Sequence, residues 1–183
     1  MLKRILIVLG VLVLILGAGY LYLNNRNRAL SPPDEQRITT ATGLQVRINY
    51  SRPSVRERLI FGPAEHEALQ PYGTYWRLGA NEATIIEVNK DFVVGGSELE
   101  AGTFGVYAIP GPDSFLIGFN STWDRWGYSE PDYSQDVAKF NVPVEGHQHV
   151  EQFTIQLGET SNGVRIICEW DDIRFVIPLT EAQ

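Results

Sequence analysis

Between Lys3-Arg4 and Asn24 the chain has no charged side chain: Ile5 to Leu23 is aliphatic apart from small residues and two tyrosines. As a helix rising about 1.5 Å per residue it reaches roughly 28 Å, close to the hydrocarbon thickness of a bilayer. Tyr20 and Tyr22 fall at its far end, where amphipathic aromatics favour the membrane interface. A core helix of a soluble protein is rarely apolar on every face. A cleaved signal peptide has an apolar region of about 7–15 residues and a small-x-small cleavage site; here Gly17-Ala18-Gly19 runs into Tyr-Leu-Tyr instead. The stretch predicts an uncleaved transmembrane anchor over residues 5–23, with residues 1–4 as a short cytoplasmic N-terminus. Lys3, Arg4 and the α-amino group slightly outweigh Arg26 and Arg28, which places the rest of the chain on the periplasmic or extracellular side.

Residues 24–36 are polar, carry Pro32-Pro33 and show no helical or strand period, the pattern of a tether. Residues 37–183 suffice for one domain with its own core. Residues 1–30 hold four of the 15 basic residues and none of the 22 acidic ones, leaving 11 against 22 and a net of −11 for the remainder. A domain this acidic repels nucleic acid and anionic headgroups, so no nucleic-acid partner is expected. The single cysteine, Cys168, rules out an internal disulfide and cysteine-rich zinc modules, and it sits in a strand-like run as a small buried hydrophobe.

Leu44, Val46, Ile48 and Tyr50 alternate with Gln45, Arg47 and Asn49, the period of a half-buried strand, after a shorter strand around 38–41 and a Thr42-Gly43 turn. Further strands are predicted over 84–88, 103–109, 114–119, 150–157, 163–170 and 173–179, the last two joined by Asp171-Asp172. Phe92–Val94 and Ser97–Leu99 flank Gly95-Gly96, which predicts a hairpin with a primed turn. Only residues 64–69 read as briefly helical. Many short strands joined by antiparallel turns predict an all-β, antiparallel β-sandwich of jelly-roll type.

Tyr50-Ser-Arg-Pro-Ser-Val55, Arg58-x-Ile-Phe-Gly62, Pro71-Tyr-Gly73, Trp76-Arg-x-Gly-Ala-Asn-Glu-Ala-Thr84, Leu99-x-Ala-Gly-Thr103, Trp126-Gly127, Asp136-Val137 and Glu151-x-Phe-Thr-Ile155 resemble the bacterial domain-of-unknown-function family 2911. The likeness covers residues 37–180. It implies an exported or membrane-anchored all-β domain and supplies no mechanism.

Within this pattern, Pro71–Thr84 is dense in polar groups that are costly to bury unless paired. Arg47, Arg52, Arg56, Arg58 and Arg77 reverse the local charge of an acidic domain, and guanidinium forks suit carboxylate, phosphate or sulfate. Arg52, Arg56, Trp76, Arg77, Asn81 and Glu82 are therefore expected to meet in one ligand-binding place, with Trp76 or Tyr72 as a flat wall. The competing expectation has these arginines brace loops, with Arg77 and Glu82 as a mutually satisfied pair. Glu82 is the best acid or base, but glycoside cleavage needs a second carboxylate about 5–9 Å away and no spacing singles one out. No catalytic set is recognisable, and no motif calls for a cofactor. His147, His149 and Glu151 share one face of an extended strand and form a weaker metal-site candidate, although that face continues into Phe153 and Ile155, which read as core. Trp123 and Trp126 read either as core or as a stacking surface for a sugar. The expected function is a membrane-held binding module for a small polar or anionic ligand, a saccharide or carboxylate. A hydrolase built on Glu82 and a purely structural or assembly domain are the alternatives.

Overall fold

The computed structural model describes residues 2–182. The apolar stretch lies in one helix, α1 (Leu2–Leu30). Its most apolar window has a mean hydropathy of 2.6, and none of that window is buried against the protein. This is the length and composition of a membrane span or a signal sequence. Asn24–Leu30, expected as tether, continues the helix, because asparagine and arginine do not stop a helix already nucleated and no proline or glycine stands between Leu23 and Pro32. Pro33–Gln36, also expected as tether, opens strand β1 (Pro33–Thr39), which pairs antiparallel with β2 (Gln45–Ser51) from Pro33↔Ser51 to Thr39↔Gln45. β1 is an edge strand, where Pro33 withholds no needed ladder bond.

Two short pieces, β3 (Phe61–Gly62) and β4 (Gln70–Pro71), flank a 3-10 turn at Ala64–His66. They are followed by β5 (Thr84–Val88), β6 (Phe92–Val94), β7 (Ser97–Leu99), β8 (Gly102–Ile109), β9 (Ser114–Asn120), β10 (Asp136–Thr160) and β11 (Gly163–Glu181). β6 and β7 form the expected hairpin, and Gly95 and Gly96 supply its positive φ angles of 57° and 83°.

The main sheet runs β1-β2-β5-β8-β9-β10-β11-β6-β7 with antiparallel pairing throughout. β10 carries the architecture. Its first part pairs with β9 from Asp136 to Pro143, and its second with β11 from Val144 to Thr160. Only residues 150–157 of this strand are legible in the sequence, because Pro143 and Gly146 look like breaks. Pro143 instead stands where the strand exchanges one neighbour for the other, so its missing N–H costs little. β11 also runs through Asp171-Asp172, expected as a connection: Asp171 takes φ 57° opposite a register irregularity at Val150 in β10. A left-handed aspartate costs little, so the strand bends there and does not end.

The sheet folds over at β10, and the β2 end of the first layer meets the second layer. Tyr50 Oη accepts from the Ile155 amide at 2.9 Å, and the Tyr50 ring meets Phe153 edge-on at 5.7 Å. Between the layers lies an aromatic centre. Trp76 stacks on Trp170 at 5.7 Å and meets Phe61, Phe153 and Phe115 edge-on. Leu44, Val46, Ile48 and Tyr50 all point into this core, as their alternation requires, and Cys168 is fully buried among them.

Candidate functional site

After β2 the chain crosses the end of the sandwich through Arg52–Ile60, and after the Trp76↔Ala108 bridge it turns sharply through Leu78–Asn81. Arg56, Glu57, Leu78 and Asn81 all hold positive φ, between 51° and 60°. Leucine is a costly residue there. Three bonds fix the second turn: Trp76 Nε1 donates to Gly79 O at 3.2 Å, Thr84 Oγ1 to Leu78 O at 2.7 Å, and Arg77 Nη1 to Asn81 O at 2.9 Å. A Cβ on Gly79 would lie 2.9 Å from Ser51 O, so glycine alone lets the turn sit against β2.

The two turns and the end of α1 enclose a cavity of about 680 Å³. Arg56, Arg58 and Arg77 line it, with Glu130 as its one acidic side chain. Among the described residues none of these arginines is in an ion pair. Arg58 donates to Val55 O and Ser54 O, and Arg56 to Leu30 O at 2.9 Å. Arg77 is partly buried, and burial pushes its pKa below the ordinary value, the like charge of Arg125 adding to that effect. Its guanidinium lies 5.7 Å from the centre of the Tyr128 ring. Arg125 stands over Tyr75 at 5.4 Å, and its Nε and Nη2 are buried without a hydrogen-bond partner. This is a positive pocket walled by Tyr75 and Tyr128 in a domain that is acidic overall.

Four of the six residues expected to meet, Arg56, Trp76, Arg77 and Asn81, do line this cavity. Trp76 is 1% exposed and belongs to the core, so the flat wall comes from the tyrosines. Glu82 does not pair with Arg77. It accepts from Arg28 at the end of α1, at 2.8 Å, and Asn81 Nδ2 donates to Ser31 O at 3.1 Å. Arg52 turns to the second layer, donating to Phe153 O and Thr154 Oγ1 and facing Asp34 at 3.7 Å. Arg47 is held by Glu87 and Glu35. Trp123 and Trp126, readable as core, are 40% and 53% exposed. Tyr75, Arg125, Tyr128 and the helix end were not singled out in the sequence. The Trp126-Gly127 motif held the one clue to the Tyr128 loop, since a Cβ on Gly127 would come within 2.7 Å of the Glu82 carbonyl.

The histidines of β10 do not converge with Glu151 on one point. His147 Nε2 faces Glu169 at 3.2 Å, whereas His149 lies between Asp171 at 3.2 Å and Glu151 at 3.5 Å. Register shifts on both sides of Val150 break the simple two-residue alternation. The group whose ligand atoms lie within 4.8 Å of one another is His149, Asp171 and Asp172. Burial, then the neighbouring Asp172, pushes the Asp171 carboxyl up to about 6, while His149 pulls it down. Against an unperturbed value of 3.8, the folded state binds more protons than the unfolded state between about pH 4 and 6. Stability contributed by this group is therefore present below that window and lost as pH rises through it. Asp171→Asn is expected to flatten the fall in denaturation midpoint across that window; an unchanged profile would assign the fall to other groups.

A family model, DUF2911, described as a protein of unknown function, matches residues 31–179. No curated protein and no solved structure matches the chain.

Proposed function

The chain belongs to the DUF2911 family, and from the geometry of its own cavity we propose that it is a membrane-anchored, extracytoplasmic binding module for a small anionic ligand that presents a carboxylate or a phosphate to its arginines. The observation that carries this reading is Arg77, a partly buried guanidinium with an arginine beside it and no carboxylate paired to it. Burying a cation is costly unless an anion offsets it, and folding alone gives no reason to keep two guanidiniums together. A brace would pair Arg77 with Glu82, and Glu82 is bonded to Arg28 instead. Catalysis by two carboxylates finds little support, because Glu130 is the one acid in the lining. The volume falls in the range of small-molecule sites. The anchor places the pocket beside the membrane, and the excess of positive charge before the span supports an outward-facing domain.

The test is calorimetric titration of the full chain in neutral detergent with succinate, glucuronate and glycerol 1-phosphate. At least one is expected to bind. Arg77→Ala should weaken that binding by about tenfold or more, while Tm stays within about 4 °C of wild type. A large loss of Tm together with no binding by the wild-type chain would make Arg77 a structural residue.

A further inference from the structure

We propose that the anion this pocket takes is the phosphate of an anionic lipid headgroup, supplied by the bilayer that holds α1. The inference rests on the anion-binding reading above and adds the source of the ligand. The lining includes Asn27, Leu30 and Ser31. The apolar span ends at Leu23, so the end of α1 at Leu30 stands about 10 Å further along the helix axis. The headgroup layer begins at the hydrocarbon edge and is roughly 5–7 Å deep on each side. Three contacts fix the domain to the helix here: Arg28 to Glu82, Arg56 to the Leu30 carbonyl, and Asn81 to the Ser31 carbonyl. Asn27, about 6 Å beyond the span, falls within that layer and Leu30 just outside it, so the pocket mouth that they line is held at the outer edge of the headgroup layer, within reach of lipid phosphates.

A second observation is independent of the charges. Large apolar side chains are exposed beside the pocket: Tyr128 at 76%, Trp126 at 53%, Leu59 at 46% and Leu69 at 37%. Tyr128 and Leu69 line the pocket, the Leu69 amide bonds Leu59 O at 2.9 Å, and Trp126 precedes the Gly127 that packs on Glu82. Tryptophan and tyrosine at a helix exit are the residues that settle at a membrane interface. The net charge of −11 had argued against anionic headgroups, but that figure averages over the whole domain. At this end Arg56, Arg58 and Arg77 line the pocket with a single acid, Glu130, and Arg125 adds its charge behind Arg77. A free anion would approach through the field of the acidic domain. A lipid beside the anchor is already at high effective concentration, so weak intrinsic affinity suffices.

The experiment uses the full chain in nanodiscs of phosphatidylcholine containing phosphatidylglycerol, with retained lipids counted by native mass spectrometry. The wild-type chain is expected to retain phosphatidylglycerol preferentially. Arg77→Ala and, separately, Arg58→Gln are expected to reduce that preference by about tenfold or more and about threefold, with melts in the same discs showing both variants folded. Equal retention of the two lipids by the wild-type chain overturns the proposal without reference to any variant. Displacement of phosphatidylglycerol by an equal concentration of glycerol 1-phosphate overturns the lipid source and leaves the anion site standing. Carboxylate binding in detergent with no lipid preference in discs likewise overturns this inference alone; loss of both overturns the anion reading too.

Discussion

Trp76→Ala is expected to lower the stability of the domain by about 3–5 kcal/mol, much of the roughly 5–15 kcal/mol that a domain has. The indole lies at the centre of the two-layer core and meets Phe61, Phe115, Phe153, Trp170 and Phe175. These partners come from both layers, so the vacated space cannot be closed by one strand moving. The measurement is the urea midpoint followed by near-ultraviolet circular dichroism, with an unchanged m-value if only stability moves. A companion pair of substitutions separates packing from hydrogen bonding. Trp170 Nε1 has no partner, whereas Trp76 Nε1 bonds Gly79 O. Trp170→Phe should therefore cost less than Trp76→Phe, and only the latter should also loosen the Leu78–Asn81 turn and weaken ligand binding. Equal costs would mean that the Gly79 bond contributes nothing.

The second large effect is expected at Asp136. Its carboxylate accepts from Tyr107 Oη at 2.7 Å, Asn120 Nδ2 at 2.8 Å and Lys139 Nζ at 2.8 Å, and its side chain is 8% exposed. Tyr107 and Asn120 are fully buried. Burial, then the Asp136 carboxylate, holds the Tyr107 hydroxyl well above the usual tyrosine range, so it stays a donor. Asp136→Ala leaves two buried donors and one cation unmatched and should cost about 3–5 kcal/mol. Lys139→Ala, whose side chain is 38% exposed, should cost about 1 kcal/mol or less. Because Asp136 fixes the start of β10 after the loop that carries Tyr128, its loss should weaken ligand binding as well. Near-wild-type denaturation of Asp136→Ala would show that water replaces the carboxylate.

Local features of the fold were legible where one residue pair or one period decides the outcome. The alternation from Leu44 to Tyr50 could only be a half-buried strand, and Gly95-Gly96 could only be a tight turn. β10 was not legible, because a strand that changes neighbours tolerates a proline and a glycine at the change. Those residues carry the same letters as a strand end. The helix overran its expected end for a related reason: polarity ends a membrane span, but only a breaker ends a helix. At the site, Arg56, Arg77 and Asn81 stood out because polar groups crowd a short segment. Their surroundings did not, since Asn27, Leu30, Tyr128 and Glu130 reach the pocket from distant parts of the chain. Arg52 was misplaced because the residue after β2 faces the opposite layer, a matter of strand parity at a chain end that no motif encodes.

The pairing of β6 with β11 has a consequence for how the protein is made. Val94 pairs with Leu179 and Phe92 with Glu181, so a hairpin from the middle of the chain waits for the last strand before its outer edge is satisfied. The second layer is therefore incomplete until almost the whole polypeptide has emerged. Such long-range pairing folds slowly. A chain that crosses a membrane as an extended thread needs that delay. For a domain exported as proposed above, this order of strands keeps the chain threadable until its last strand arrives, and closure of the sandwich then comes as one late, cooperative step.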